Sequence, residues 1–358
     1  MTSASMISPG DILTRAEIRP ILGGSAYGGI CPAIEERNVI LYSDHEVAKK
    51  FGYHDGWLSE NDTLGPIFEY TGAGKSGHQS LTQSGNKAIL QHVQSGRTLH
   101  VFTRVGKITG TDTKTHRYIG EFAIDEEQPF VPRQGLGEDD LIRTAIVFRL
   151  RPTGEFDRSD SDTISPAPST SAEFVPLTIT SDMLEAAAVT RNAFTSSSLR
   201  SRSNSASLDA AASGKIAPVQ AVNVSEFQRA ASAATTVRRR KALLIEAYVN
   251  QLEAQGHSVG SFQLQIEGRT TTLRTDFFDA TDYTLYEAQG SSDRDAVRAA
   301  FSRLLDYRRY VRHDGLQYEP KTVALLPGRP DPDLEALLAS YRISLIYQGE
   351  DGKFSSAF

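Results

Sequence analysis

Only one cysteine, Cys31, stands in 358 residues, which leaves no disulfide framework and no cysteine-based zinc site. The eight histidines show neither HxxxH nor HExxH spacing, so the usual zinc-hydrolase signatures are absent as well. No Gly-x-Ser-x-Gly elbow supports serine-hydrolase chemistry. No apolar run approaches the roughly 18 residues of a membrane span. The opening MTSASMISPGDILTRAEI lacks the basic start, continuous apolar core and cleavage site of a secretory signal. A soluble, cytoplasmic protein with no membrane partner is therefore expected. A surplus of positive charge is also lacking: the net charge of −6 argues against nonspecific coating of nucleic acid. No internal repeat is evident.

What is present divides into three stretches. Residues 1–154 carry short β-rich runs (NVILYSD, TLHVFTRVG, RYIGEFAI, RTAIVFRLRP) between Gly, Asp and Asn turns, with one helix in GNKAILQHVQSG. A mainly β domain, a barrel or strongly curved sheet, is expected there. Residues 155–224 turn Ser, Thr and Ala rich, with too few large apolar side chains to offset their ordering entropy, and read as a linker. One island inside it, FVPLTITSDMLEAAAVTRNAF, could dock as a short strand and a helix capped by Ser181 or Asp182. A tether of some 60 residues has an r.m.s. reach of roughly 40 Å.

Residues 225–358 open on a long helix from Ser225 to a stop at Gly256. Three strands (SFQLQIEG, TTTLRTDFFD, YTLYEAQG), an Arg-bearing helix, and a strand, helix and strand follow. That order is an α/β pattern with a mixed sheet. Its 17 Lys and Arg nearly balance its 18 Asp and Glu, yet the basic residues cluster at Arg238–Lys241 and Arg294–Arg312. Such clusters are either solvated helix faces or contacts for phosphate.

Asp276 and Glu287 lie at the ends of successive strands, where two carboxylates can reach one metal. Magnesium, with manganese as a substitute, takes oxygen ligands of this kind and activates water for phosphodiester hydrolysis. The pattern Asp276, Glu287, Ala288, Gln289 resembles the PD-(D/E)XK nuclease superfamily. The resemblance implies Asp276 and Glu287 as metal ligands and Glu246, on the preceding helix, as an extra catalytic acid. Gln289 stands where the family usually has lysine and is a catalytic candidate whose amide can orient a water, as in some active members; Ser302-Arg303 stand where a Gln-Leu pair is expected. Two other readings accompany it: strand-end acids without a catalytic role, and a nuclease-like fold that only binds DNA.

The Gly-rich segment GAGKSG, residues 72–77, lacks the spacing of a nucleotide-binding P-loop. Together, GGICPA, NVILYSD, GYHDGW, FEYTGAGKSGHQSLTQSGNKAI and RYIGEFAI resemble SRA/YDG domains, PUA-like barrels that rotate a modified cytosine out of DNA. Such a pocket needs an aromatic face, polar groups for the base edge and room for a 5-substituent. The resemblance implies a pocket of Tyr70, Thr71 and Gly72, with Tyr53, Asp55 and Trp57 upstream and Asp62 as a rival for the acid. His78 replaces an expected Asp before Gln79. Lys75, Gln79 and Lys87, with Arg294 and Arg298 of the second domain, are candidates for the DNA backbone. The combined expectation is a modification-dependent DNA endonuclease acting on double-stranded DNA, dimeric at least on DNA. A non-cleaving reader of modified DNA is the alternative.

Overall fold

The structure is a computed structural model that describes residues 7–44, 55–62, 64–126, 128–139, 141–176, 224–311 and 318–357. Two compact units divide near residue 168, each with its own sheet.

In the first unit β1 (Ile12–Thr14) runs into helix α1 (Arg15–Leu22), where Thr14 and Glu17 form a reciprocal capping box. β2 (Ile30–Ala33), β3 (Asn38–Ser43), β4 (Gly56–Trp57) and β5 (Phe68–Thr71) precede the short helix α2 (Ser84–Leu90). β6 (Thr98–Lys107), β7 (Lys114–Ile124), β8 (Phe130–Leu136) and β9 (Ile142–Phe156) complete a nine-stranded sheet. Its order is β2-β3-β6-β7-β9-β5-β4, with β1 on β7 and β8 on β9. Among the described strands, β3 and β6 pair in parallel and the other pairs are antiparallel.

Bulges in β6 and where β7 meets β9 interrupt the register, and a bulge bends its strand. At Gly120 (φ 128°) a Cβ would lie 2.8 Å from the Glu155 carbonyl, so the bend there requires glycine. One apolar core, with Trp57, Phe68, Phe122 and Phe148, fills the curve of the sheet. Another joins Ile18 of α1 to Tyr42, Phe102 and Tyr118.

In the second unit β10 (Ser171–Pro176) precedes the long helix α3 (Val224–Ala254). β11 (Val259–Gln265), β12 (Thr272–Arg274), β13 (Phe277–Asp279), β14 (Thr284–Ala288), α4 (Arg294–Tyr307), β15 (Lys321–Leu326), α5 (Pro332–Ser340), β16 (Ile343–Gln348) and β17 (Phe354–Ser356) follow. The sheet order is β10-β11-β13-β14-β15-β16-β17, with β12 on β11. β14, β15 and β16 are parallel and joined through α4 and α5; the remaining pairs are antiparallel. Successive strand residues point to opposite faces, and this splits the core cleanly. Phe278, Leu285 and Ala324 meet Val297 and Leu304 of α4 and Leu334 of α5. Phe277, Tyr286 and Leu325 meet Leu244, Tyr248 and Leu252 of α3.

The mixed sheet agrees with the expectation, and several details correct it. Residues 171–176 of the expected linker are strand β10, paired with β11, because Phe174 packs at a tilt against Phe262 and edge-on against Phe278. The rest of the island, with Ser181 and Asp182, lies outside the described residues, as does Tyr53. The expected single strand TTTLRTDFFD breaks into β12 and β13. At the break the Thr275 hydroxyl accepts the Phe262 N–H at 2.9 Å, taking a place that a backbone carbonyl would fill. Strands β8 and β17 had no turn-bounded alternating pattern to announce them.

Candidate functional site

In the first unit the β5 segment brings Tyr70, Thr71 and Gly72 to the sheet beside Asp55. One Asp55 carboxylate oxygen accepts the Thr71 backbone N–H at 2.8 Å, and the other accepts the Ser43 hydroxyl at 3.3 Å. Asp55 is buried, and so are Ser43, Thr71 and Thr103. Parallel pairing of β3 with β6 sets Ser43 opposite Thr103. Among the described residues, the buried hydroxyls of Thr71 and Thr103 have no hydrogen-bond partner. Tyr70 lies among the core residues, its hydroxyl donating to the Tyr42 carbonyl at 3.5 Å, and burial raises its phenol well above the usual value. Arg15 caps this end of the sheet, its guanidinium 3.8 Å from the centre of the Tyr42 ring.

The structure thus separates the candidate residues. Asp55 joins Thr71, whereas its rival Asp62 forms a two-point ion pair with Arg151, at 2.9 and 2.5 Å, which holds its carboxyl below the usual range. The Trp57 ring is fully buried against Phe68, Phe122 and Phe156. Gln79 is turned into the fold. Its amide is spent inside the fold, donating to the Gly72 and Gly74 carbonyls at 2.7 and 3.0 Å and accepting Ile146 N–H at 2.8 Å.

Gln79 has help in shaping the glycine-rich loop. Asn86 accepts from Ala73 N–H at 2.6 Å and donates to the Ala73 and Ser80 carbonyls, while buried Arg143 donates to the Gly74 carbonyl at 2.5 Å. His78, in the place of the expected Asp, accepts the Thr144 N–H on Nδ1 at 3.1 Å and ties the loop to β9. Gly72 leaves no room for a side chain, since a Cβ would come within 2.7 Å of Asn86 Oδ1. Lys75 pairs with Glu138 at 2.9 Å and is 73% exposed, and Lys87 is exposed on α2. Both lysines are therefore open to solvent beside the pinned loop.

In the second unit Asp276, just before β13, faces the end of β14, because antiparallel pairing places Phe277 opposite Tyr286. One Asp276 oxygen accepts the Ala288 N–H at 2.8 Å, which fixes the carboxylate beside Glu287. The Lys241 ammonium, from α3, lies 2.8 Å from Asp276 and 3.5 Å from Glu287. Arg303, from α4, donates to Glu287 at 2.8 Å. Burial first, and the Asp276 charge second, push Glu287 up to about 7, while Lys241 and Arg303 pull it back. Burial works against the Lys241 charge, but the two carboxylates outweigh it and hold the ammonium above the ordinary lysine value.

Neither cation was legible in the carboxylate motif. Arg303 stands at the very pair, Ser302-Arg303, that departs from the expected Gln-Leu. Lys241 closes the basic run RRRK of α3, and Gly290 sets its approach. A Cβ on Gly290 would lie 1.8 Å from the Val237 carbonyl, so α3 rests directly on the turn after Glu287, one helical turn before Lys241. Glu246 does not join the site. Five residues beyond Lys241 is roughly 140° around a helix, and Glu246 is exposed. Gln289 is half-buried and donates its backbone N–H to the Leu325 carbonyl at 3.0 Å. Arg294 pairs with Asp333 at 2.5 Å, and Arg298 is exposed on α4.

His257, Asp279 and Asp282 are a further group of potential ligands, within 4.8 Å of one another. They close a loop: His257 bonds Asp279 at 2.6 Å, and the other Asp279 oxygen accepts the N–H groups of Thr281 and Asp282.

Comparison with known proteins bears on the first unit. The family model described as "ScoMcrA-like, SRA domain" matches residues 9–164. The Type IV phosphorothioation-dependent restriction endonuclease ScoMcrA is 26% identical, over 43% of this chain and 29% of that one, with a TM-score of 0.31. The sulfur-binding and SRA domains of ScoMcrA, complexed with phosphorothioated DNA, are 24% identical over 51% of this chain and 45% of that one, TM-score 0.31. The DNA modification-dependent restriction endonuclease AspBHI is 19% identical over 39% of this chain and 67% of that one, TM-score 0.27. The chain thus spans less than half the length of either ScoMcrA chain. Among curated proteins none matches it. Residues 9–164 are an SRA domain of the ScoMcrA-like kind.

Proposed function

We propose that the protein is a modification-dependent DNA endonuclease, whose SRA domain reads a modified base and whose C-terminal unit hydrolyses phosphodiesters nearby. The observation that carries it is the convergence of Asp276 and Glu287 on one cation at a strand end, in a chain with an SRA domain.

In the reader, a flipped cytosine would present its amino group to Asp55. A carboxylate offers about four acceptor positions, and the Thr71 hydroxyl, which has no partner among the described residues, can donate to the ring nitrogen or carbonyl of the same base. Gly72 and the pinned loop keep the backbone close to the entering nucleotide, and Lys75 and Lys87 serve phosphates beside it. Both 5-methylcytosine and 5-hydroxymethylcytosine suit this chemistry.

In the cutting unit, two carboxylates that already share one ammonium fit a hard divalent cation with oxygen ligands. Asp276 and Glu287 would hold magnesium, or manganese, which when bound polarises the phosphate and lowers the pKa of water. The Ala288 N–H keeps Asp276 oriented, and Arg303 holds Glu287 and neutralises charge at the phosphate. In the reaction the water oxygen bonds to phosphorus as one P–O ester bond breaks. One water proton ends on the released hydroxyl and the other goes to solvent.

The test is digestion, with magnesium or manganese, of matched duplexes carrying cytosine, 5-methylcytosine, 5-hydroxymethylcytosine, glucosylated hydroxymethylcytosine, N6-methyladenine or phosphorothioate. Cuts confined to modified duplexes support the reading; equal cutting of unmodified DNA removes it. A second reading, a reader that binds without cutting, draws on Gln289 and on the carboxylate pair already being neutralised by Lys241 and Arg303. Asp276→Ala separates the two, since it abolishes cutting and spares DNA binding only in an enzyme.

A further inference from the structure

We propose that Lys241, on helix α3, supplies the cation that the carboxylate motif itself lacks at Gln289, and that it contacts the scissile phosphate once a metal takes its place between the acids. This rests on the nuclease reading above.

The geometry singles out Lys241. Its ammonium touches both acids, 2.8 Å from Asp276 and 3.5 Å from Glu287, and its side chain is only 23% exposed. Arg303 meets Glu287 alone and is 52% exposed, so it flanks the pair rather than bridging it. Gln289 makes no side-chain hydrogen bond among the described residues and carries no charge. A phosphodiester hydrolase must stabilise negative charge that grows on the phosphate, and a preorganised cation in a water-poor site does this at little reorganisation cost.

The fold explains how a helix residue can stand in for a strand residue. Gly290 lets the α3 backbone rest on the turn that follows Glu287. Leu244, Tyr248 and Leu252 then fasten the helix to β13, β14 and β15. Lys241 therefore enters the site from a rigid support. Its side chain has four rotatable bonds, enough for the ammonium to move a few ångströms from the carboxylates to a phosphate oxygen without any shift of the helix. Arg238, Arg239 and Arg240, just ahead of it, are exposed and lie on the same helix end, so a phosphate chain approaching Lys241 meets further positive charge.

The test uses the full chain and four variants: Lys241→Met, Gln289→Ala, Lys241→Met with Gln289→Lys, and Asp276→Asn. Three quantities are measured: single-turnover cleavage with magnesium, affinity for the cleavable duplex in calcium, and calcium affinity by calorimetry. Lys241→Met is expected to slow cleavage roughly 100-fold or more while lowering duplex affinity in calcium by far less. Its calcium affinity is expected to be equal or higher, because a competing cation has been removed. Gln289→Ala should slow cutting far less than Lys241→Met does, and Gln289→Lys should restore part of the loss in the Lys241→Met background. Lys241→Met cutting at the parent rate overturns the inference, as does a loss of calcium binding in parallel with cleavage, which marks a merely structural residue. If Asp276→Asn is inactive while Lys241→Met is active, the lysine assignment alone fails. If Asp276→Asn cuts normally, or the parent cuts no duplex, the nuclease reading fails and takes the assignment with it.

Discussion

At the scale of single residues, burial separates look-alike candidates. Asp55 and Asp62 are both acids shortly before Tyr70, but only Asp55 reaches the Thr71 N–H. Asp55→Asn keeps the shape while replacing acceptor capacity with an amide. It is expected to weaken binding to the modified duplex at least tenfold, to leave unmodified binding unchanged, and to cost about 1–3 kcal/mol of stability. Fluorescence anisotropy and thermal melting read the two effects. Trp57 behaves differently: Trp57→Ala is expected to cost about 3–5 kcal/mol and Trp57→Phe to leave discrimination between duplexes intact. Lost discrimination in a stable Trp57→Phe protein would return the ring to the pocket. The legibility of these residues follows the same line. Tyr70-Thr71-Gly72 and Asp276 with Glu287 were identifiable because their spacing is local, whereas the assignment of Asp62, Trp57 and Gln79 depended on partners distant in sequence.

At the scale of elements, close approaches decide what the strands and helices can do. The Gly290→Ala side chain would collide with the Val237 carbonyl. The expected outcome is a loss of about 1–3 kcal/mol and a fall in cleavage larger than that of a surface Gly→Ala control such as Gly154→Ala, where a Cβ meets nothing within 4 Å; equal effects would remove the docking argument. On the reader sheet, His100 of β6 is buried between Tyr118 and Asn38, at 2.8 and 3.1 Å. Burial lowers both His100 and His116 to about 4 from 6.5. The unfolded chain then takes up protons first as pH falls, so their contribution is intact above about 6.5 and is lost between about 6.5 and about 4. Denaturant titrations across that window should show the decline, and His100→Gln should flatten it. Element types were legible from period and turns: β3, β14 and α4 fall where their apolar patterns put them. β10 was not, because a short strand with one large aromatic in a Ser-rich stretch gains its stability from Phe262 and Phe278 on another part of the sheet.

At the scale of the whole molecule, one chain offers one carboxylate pair at a strand end, and a double-strand break requires two cuts. Two copies on the DNA are therefore expected, with cleavage rising more steeply than linearly in protein concentration under single-turnover conditions. Clean double-strand breaks from a species shown to be monomeric on the duplex by ultracentrifugation would refute this.

The sequence by itself determined a β-rich first unit and a mixed α/β second unit, the glycine-rich loop, and the placing of Asp276 and Glu287 near one another. Hydrophobic period, turn residues and local spacing suffice for these. Tertiary structure decided which acid faces Thr71, that Trp57 belongs to the core, and that Lys241 and Arg303 rather than Gln289 and Glu246 meet the carboxylates. Those choices depend on which side chains a curved sheet and a docked helix bring within a few ångströms. Charges balance across space, not along the chain, and the Lys241 ammonium is held by two acids that no local motif connects to it.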